Sequence, residues 1–230
     1  MLTIRNLHVA YDDRREVIKG LTLNMKTGIT HGLAGLNGAG KTTLLNALFG
    51  FLKPKEGIVS LDGRPLQRRD IAYLEAENFF YPFMTGREYL ELFNPSSAAA
   101  FNMDSWQELL SLPLDQVTES YSTGMKKRLA LLGVIKLDKP VLILDEPFNG
   151  LDMEGTHLLA MILERLHRQG KTIIVTSHIY ETLTGCCMQI HYLVNGVIEQ
   201  SFTPPEYPLL QERLRETVEG RSLGHLERVL

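Results

Sequence analysis

The stretch GLNGAGKT, residues 35–42, constrains this chain more than any other feature. It sets Gly35, Gly40, Lys41 and Thr42 in G-x-x-x-x-G-K-T spacing, after an apolar run and ahead of a helical pattern, KTTLLNALFGFL. Glycines let the backbone curl so that successive N–H groups point at one anion, and a helix start adds the positive end of its dipole. Lys41 has the length to reach β- and γ-phosphates, and the Thr42 hydroxyl is a Mg²⁺ ligand. A strand–loop–helix unit that binds a nucleotide is the expectation.

The rest of the chain supplies a sheet for that loop. Short apolar or β-branched runs recur as LTIRNLHVAY, THGLAGL, GIVSLDG, DIAYL, PVLILDEP, KTIIVTSH and MQIHYLV. Several are nearly continuously apolar, as strands covered on both faces are. Helical patterns alternate with them; GTHLLAMILERLHRQG carries Leu158, Ile162, Leu163 and Leu166 on one face and stops at Gly170. The alternation predicts an α/β fold with a mainly parallel sheet. Residues 77–137 differ, holding helical signals (TGREYLELF, SWQELLSL, TGMKKRLALLGVIKL) and a small-residue loop, NPSSAAAFN. They are read as a helical insertion between core segments 1–76 and 138–205. Residues 206–230 read as a tail of one or two amphipathic helices docked on the core.

Composition narrows the function. A net charge of -3 and pI near 6.2 leave no global basic footprint, so nucleic acid is not the expected partner. The cysteines, Cys186 and Cys187, are adjacent, which suits neither a disulfide framework nor a metal-binding spacing; buried free thiols are expected. The start lacks the apolar core of a signal peptide. No stretch approaches the roughly 20 apolar residues that cross a bilayer, so if the protein works on a membrane, something else is expected to do the spanning.

Two more strand ends converge on the loop. Val141–Leu144 runs into Asp145, Glu146 and Pro147, which brings two carboxylates to the carboxyl edge of the sheet. Asp145 is positioned to support Mg²⁺ and Glu146 to polarise an attacking water. The run KTIIVTSH ends on His178, whose ring N–H at such an edge reaches a terminal phosphate.

With YSTGMKKR at 121–128, these pieces resemble the nucleotide-binding subunit of ABC transporters over about residues 1–205. Gly35 to Thr42 looks like that family's Walker A loop, with Asn37, Gly38, Ala39 and Thr43 completing the ATP contacts. LILDEP looks like Walker B, with Thr42 and Asp145 as the Mg²⁺ pair. NGLD at 149–152 resembles the D-loop, and His178 the switch histidine. Tyr11 stands where the family stacks an aromatic on adenine. STGMKKR resembles the signature, with Thr123 where a second glycine is usual. The resemblance implies a P-loop NTPase (RecA-like) core, an N-terminal antiparallel β portion and the inserted α-helical subdomain.

It also implies partners. Ser122 and Gly124 open an apolar-faced helix and so form an anion site. In the family that site, with Thr123 and Asp152, faces the γ-phosphate held by a second ATPase subunit, so that a homodimer encloses two ATP molecules. The cycle is passed to separate transmembrane permease subunits on the cytoplasmic face of the membrane. MTGREYL and YSTGMKKRL resemble the exporter, ABC-2-like branch. A soluble ABC ATPase acting in macromolecular assembly is the alternative, and an inactive scaffold is disfavoured because Glu146 and His178 are both present. Lys126, Lys127 and Arg128, three cations in one helical turn, are expected to form a solvated face.

YLEAEN, residues 73–78, departs from the family. Ala76 stands at the usual glutamine position and has no side-chain donor or acceptor. Either Glu75 or Glu77 substitutes for that contact, directly or through water, or water fills the gap and both acids are exposed. Phe79, Phe80, Tyr81 and Phe83 either line a groove for the membrane partner or form the core of the helical insertion.

Overall fold

The computed structural model describes residues 1–11, 15–94 and 101–229, with side chains described through residue 220. Among the described residues, ten strands form two sheets. In the first, β1 (Leu2–Ala10), β2 (Glu16–Met25), β4 (Glu56–Leu61) and β5 (Arg64–Pro65) pair antiparallel in the order β2-β1-β4-β5. The second holds β3 (Thr30–Ala34), β6 (Ile71–Leu74), β7 (Val141–Leu144), β8 (Thr172–Thr176), β9 (Gln189–Val194) and β10 (Val197–Phe202). Its order is β10-β9-β3-β8-β7-β6, parallel except for the β9–β10 hairpin at one edge. Every residue of β3, β7 and β8 is buried, which explains their near-continuous apolar sequence.

Each helix has a local reason to start or stop. α1 (Lys41–Phe49) begins at the phosphate loop and ends at Gly50, whose φ of 87° turns the chain out; Phe51 and Leu52, expected within the helix, lie beyond it. α2 (Gly86–Glu91) is opened by a Thr85–Glu88 capping box. α3 (Met103–Leu110) is capped by Asn102, α4 (Thr123–Lys136) by Ser122 and α5 (Met153–Arg168) by Asp152. α6 (Tyr180–Cys186) follows β8, and α7 (Tyr207–Val229) is one helix rather than two. Part of the expected NPSSAAAFN loop, residues 95–100, lies outside the described residues.

Two apolar cores result. One lies between the sheets and encloses α1, where Leu44 and Leu45 meet Ile4, Ile18, Ile143 and Leu193. Most of α1 is buried; its polar residues are Lys41, Thr42 and Thr43 at its start and Asn46, whose Oδ1 accepts from Tyr73 Oη at 3.0 Å. The other covers the opposite face of the parallel sheet, where Leu90, Leu129 and Leu132 of the inserted helices meet Leu74 and Leu144. On α5, Leu159, Ile162, Leu163 and Leu166 are buried, and Leu158 packs at the margin. α7 docks along a narrow stripe of Tyr207, Leu210, Leu214 and Thr217, the last bonding Tyr192 Oη at 2.8 Å. Among the described residues, no helix is long and apolar enough to cross a membrane. Cys187 is buried and Cys186 half-buried; both are free thiols, with Sγ atoms 3.8 Å apart.

Candidate functional site

The loop after β3 needs its glycines for different reasons. A Cβ at Gly35 would lie 2.5 Å from the Leu193 carbonyl oxygen, so the close approach of the β9 backbone excludes a side chain. Gly38 faces open space but has φ of 80°, a left-handed conformation that glycine adopts without penalty. Lys41 folds back over the loop and donates to the carbonyls of Gly35 at 2.7 Å and Leu36 at 3.4 Å. Burial pulls its pKa below the ordinary lysine value, and the nearby charges of Glu146 and Asp145 oppose that shift. The ammonium is therefore poised among weak acceptors that a phosphate would outcompete.

β7 delivers the carboxylates. Thr42 Oγ1 donates to Asp145 Oδ2 at 2.9 Å, joining the loop to the strand end. The other Asp145 oxygen, Oδ1, accepts from Thr176 Oγ1 at 2.5 Å, and the same threonine oxygen accepts the Glu146 amide at 2.8 Å. Asp145 is 2% exposed and Thr176 fully buried, so this net is rigid. Glu146 has φ of 48°, unusual for a residue with a side chain and of the kind that surrounding structure must enforce. Glu146 Oε2 lies 3.0 Å from His178 Nδ1 and accepts the His178 amide at 3.3 Å.

Thr42, Asp145 and Glu146 border a cleft of about 590 Å³ whose walls also include Tyr11, Asn37, Lys41, Thr43 and Ala76. Tyr11 is 62% exposed; its hydroxyl lies 3.2 Å from Thr43 Oγ1, which leaves the ring at the cleft mouth. The same cleft is lined by Arg15 and Val17, which the sequence reading did not single out. His178 and Ser177 line a smaller cavity of about 170 Å³ behind the loop, with Gly35 and Asn37. Ala39, within the loop, is buried.

Ser122, Thr123 and Gly124, expected from the sequence to form the signature, are absent from the walls of the cleft. Ser122 and Thr123 are exposed, and Ser122 Oγ caps α4 by accepting the Met125 amide at 3.2 Å. Asp152 Oδ1 likewise accepts the Gly155 amide at 2.7 Å. The two segments touch: a Cβ on Gly150 would lie 3.0 Å from Thr123 Cγ2, and one on Gly124 would lie 3.1 Å from the Gly150 carbonyl. Met153, 89% exposed, and Ile179, 42% exposed, add apolar surface to the D-loop-like turn and the switch-like loop.

The expected solvated face at 126–128 is corrected by the structure. Lys127 is buried, donating to the carbonyls of Ala76 at 3.0 Å and Glu75 at 3.4 Å, while Arg128 donates to the Leu110 carbonyl at 2.9 Å. The reason is the turn of α4, which aims position 127 at the sheet and 128 at α3 where a run of cations alone suggests water. Ala76 lines the cleft, whereas Glu75 and Glu77 are exposed and absent from its walls. Of the aromatic run, Phe80 packs on Tyr89 with centroids 4.8 Å apart, and Phe79, Tyr81 and Phe83 are exposed. Thr176 also escaped the sequence reading; its only signal is a hydroxyl two residues before His178 on the neighbouring strand.

Comparison with known proteins agrees with this geometry. Residues 18–149 match the family model described as ABC transporter. An uncharacterized ABC transporter ATP-binding protein of Nostoc is 35% identical over 192 residues, covering 78% of this chain but only 57% of that protein. The Nod factor export ATP-binding protein I of Burkholderia orbicola is 34% identical over 208 residues, covering 85% of this chain and 68% of the relative. Among solved structures, an ATP-binding subunit of an ABC transporter superposes with a TM-score of 0.75 at 27% identity, covering 88% of this chain and 90% of that one.

Proposed function

The chain belongs to the ABC transporter family, and from that premise we propose that it is an ATP-binding and ATP-hydrolysing subunit that drives separate transmembrane subunits. The observation that carries this reading is the pair of contacts made by two adjacent acids at the end of β7, Thr42 to Asp145 and His178 to Glu146. The triphosphate is received by the amides of residues 35–42 and by Lys41. Tyr11 offers a ring face at the mouth for the base. Thr42 Oγ1 and Asp145 Oδ2 are hard oxygen donors at one edge of the phosphate site, a set that fits Mg²⁺. When bound there, Mg²⁺ neutralises charge that develops on the phosphate oxygens. Glu146 orients and polarises the attacking water, and His178 fixes the position of its carboxylate.

Dimerisation belongs to the same proposal. Ser122, Thr123, Gly124 and Asp152 lie outside the cleft on a surface that also exposes Met153, which suits contact with nucleotide held by a second copy. ATP would then favour the closed dimer through its differential affinity, and hydrolysis would release it. The exposed Phe79, Tyr81 and Phe83 offer the membrane partner an apolar landing surface, which would hold this chain at the cytoplasmic face of a membrane. The exporter assignment is supported by likeness to a relative named for Nod factor export. Mg²⁺-dependent ATPase activity of the purified chain, and capture of a membrane protein with it from detergent-solubilised membranes, test the two halves. Loss of all activity in Mg²⁺, or capture of soluble assembly factors alone, would count against it.

A further inference from the structure

The loop that carries Ala76 into the cleft follows β6 directly, and β6 lies beside β7. Ala76 has no polar side chain, so this loop can be tied to the helical layer only through its backbone or its neighbours. The tie present is Lys127, 6% exposed, whose Nζ donates to the carbonyls of Ala76 and Glu75. Other cations of α4 stay within the helical layer: Arg128 bonds the Leu110 carbonyl and Lys136 the Leu90 carbonyl. Among these, Lys127 alone crosses from the helical layer to the rim of the cleft.

The ammonium is held for more than packing. Burial lowers its pKa, while Asp145 and Glu146 favour its charged form, so it shares an electrostatic environment with both carboxylates. Lys41 feels the same two acids from the loop. The two carboxylates thus favour the charged form of two buried lysines, Lys41 at the start of α1 and Lys127 on the helix that Ser122 opens.

We propose that Lys127 is a positioning residue that couples α4, and with it the Ser122–Gly124 turn, to the cleft rim at Glu75–Ala76. A shift of α4 relative to the sheet moves the two carbonyls that Lys127 holds, and closure of the cleft on nucleotide moves α4 through the same bonds. This rests on the ATPase reading above and adds to it the route by which the helical layer follows the nucleotide.

The test compares Lys127→Met, which keeps the length and loses the charge and donors, with Lys127→Arg, which restores both. Lys127→Met is expected to lower kcat by about 10-fold while the KM for MgATP stays within about 2-fold, and Lys127→Arg to recover most of the loss. Native kcat in Lys127→Met, or a loss confined to KM, overturns the proposal. Amide hydrogen exchange of the unaltered chain with and without MgATP decides the matter should Lys127→Met not fold. Residues 74–78 and the first turns of α4 are expected to change protection together, and a change in the loop alone contradicts the coupling. An unaltered chain that binds MgATP but does not turn it over sinks the ATPase reading, while the exchange result still reports on the coupling.

Discussion

Thr176 hydrogen-bonds Asp145 across two neighbouring parallel strands, and its single hydroxyl both donates to that carboxylate and accepts the Glu146 amide. One buried oxygen therefore sets the orientation of the acid that meets Thr42 and of the backbone that carries the acid facing His178. Thr176→Val keeps the shape and removes both bonds. Leaving buried polar groups unpaired costs about 1–3 kcal/mol. The expected result is a fall in kcat/KM of roughly 10- to 100-fold at saturating Mg²⁺, with secondary structure unchanged by circular dichroism. Unaltered kinetics would remove Thr176 from the account.

The loop glycines should fail in different ways. Gly38→Ala meets open space and pays only the backbone cost of a left-handed residue, about 1 kcal/mol. Gly35→Ala drives a methyl into the Leu193 carbonyl and must displace the loop or β9. Nucleotide titrations should show affinity weakened by less than about 10-fold for Gly38→Ala and by far more for Gly35→Ala. Equal losses would contradict the distinction.

A buried histidine pair away from the cleft makes stability depend on pH. His31 and His191 have Nδ1 and Nε2 3.0 Å apart, His31 Nε2 donates to the Lys26 carbonyl, and His191 Nδ1 meets Ser201 Oγ at 2.7 Å. This chain of bonds holds both rings neutral. Burial, reinforced by His31, pushes His191 down to about 3 from 6.5, and burial also lowers His31. A depressed folded value means that the unfolded chain binds the extra proton, so stability is full above the unfolded pKa and falls between about 6.5 and about 3. The loss from His191 is roughly 2 kcal/mol by pH 5. Urea midpoints at pH 7.5 and pH 5 measure it, and His191→Gln should flatten the difference. A midpoint that does not fall on acidification contradicts the neutral pair.

What the sequence disclosed was whatever one continuous stretch carries. Gly35–Thr42, Asp145–Glu146 and Ser122–Gly124 each combine a short pattern with a strand end or helix start, and the sheet brings the first two together. β2 and β10 were missed because EVIKGLTLNM and VIEQSF mix polar and apolar residues, as strands with one exposed face do. Lys127 looked solvated beside Lys126 and Arg128 because its partners are main-chain oxygens some 51 and 52 residues earlier in the chain. Thr176 carried no pattern for a similar reason, its partners lying 30 and 31 residues away. Contacts of that kind arise from topology, which periodicity does not encode.

The most direct measurement concerns Glu146. Glu146→Gln keeps the size and hydrogen-bonding capacity of the side chain at the His178 contact and removes its ability to take up a proton. The mutant should bind MgATP with near-native affinity, lose turnover by more than about 100-fold, and accumulate as a dimer by light scattering when ATP is present. Turnover at the native rate in Glu146→Gln would contradict the assignment of this cleft as the site of ATP hydrolysis.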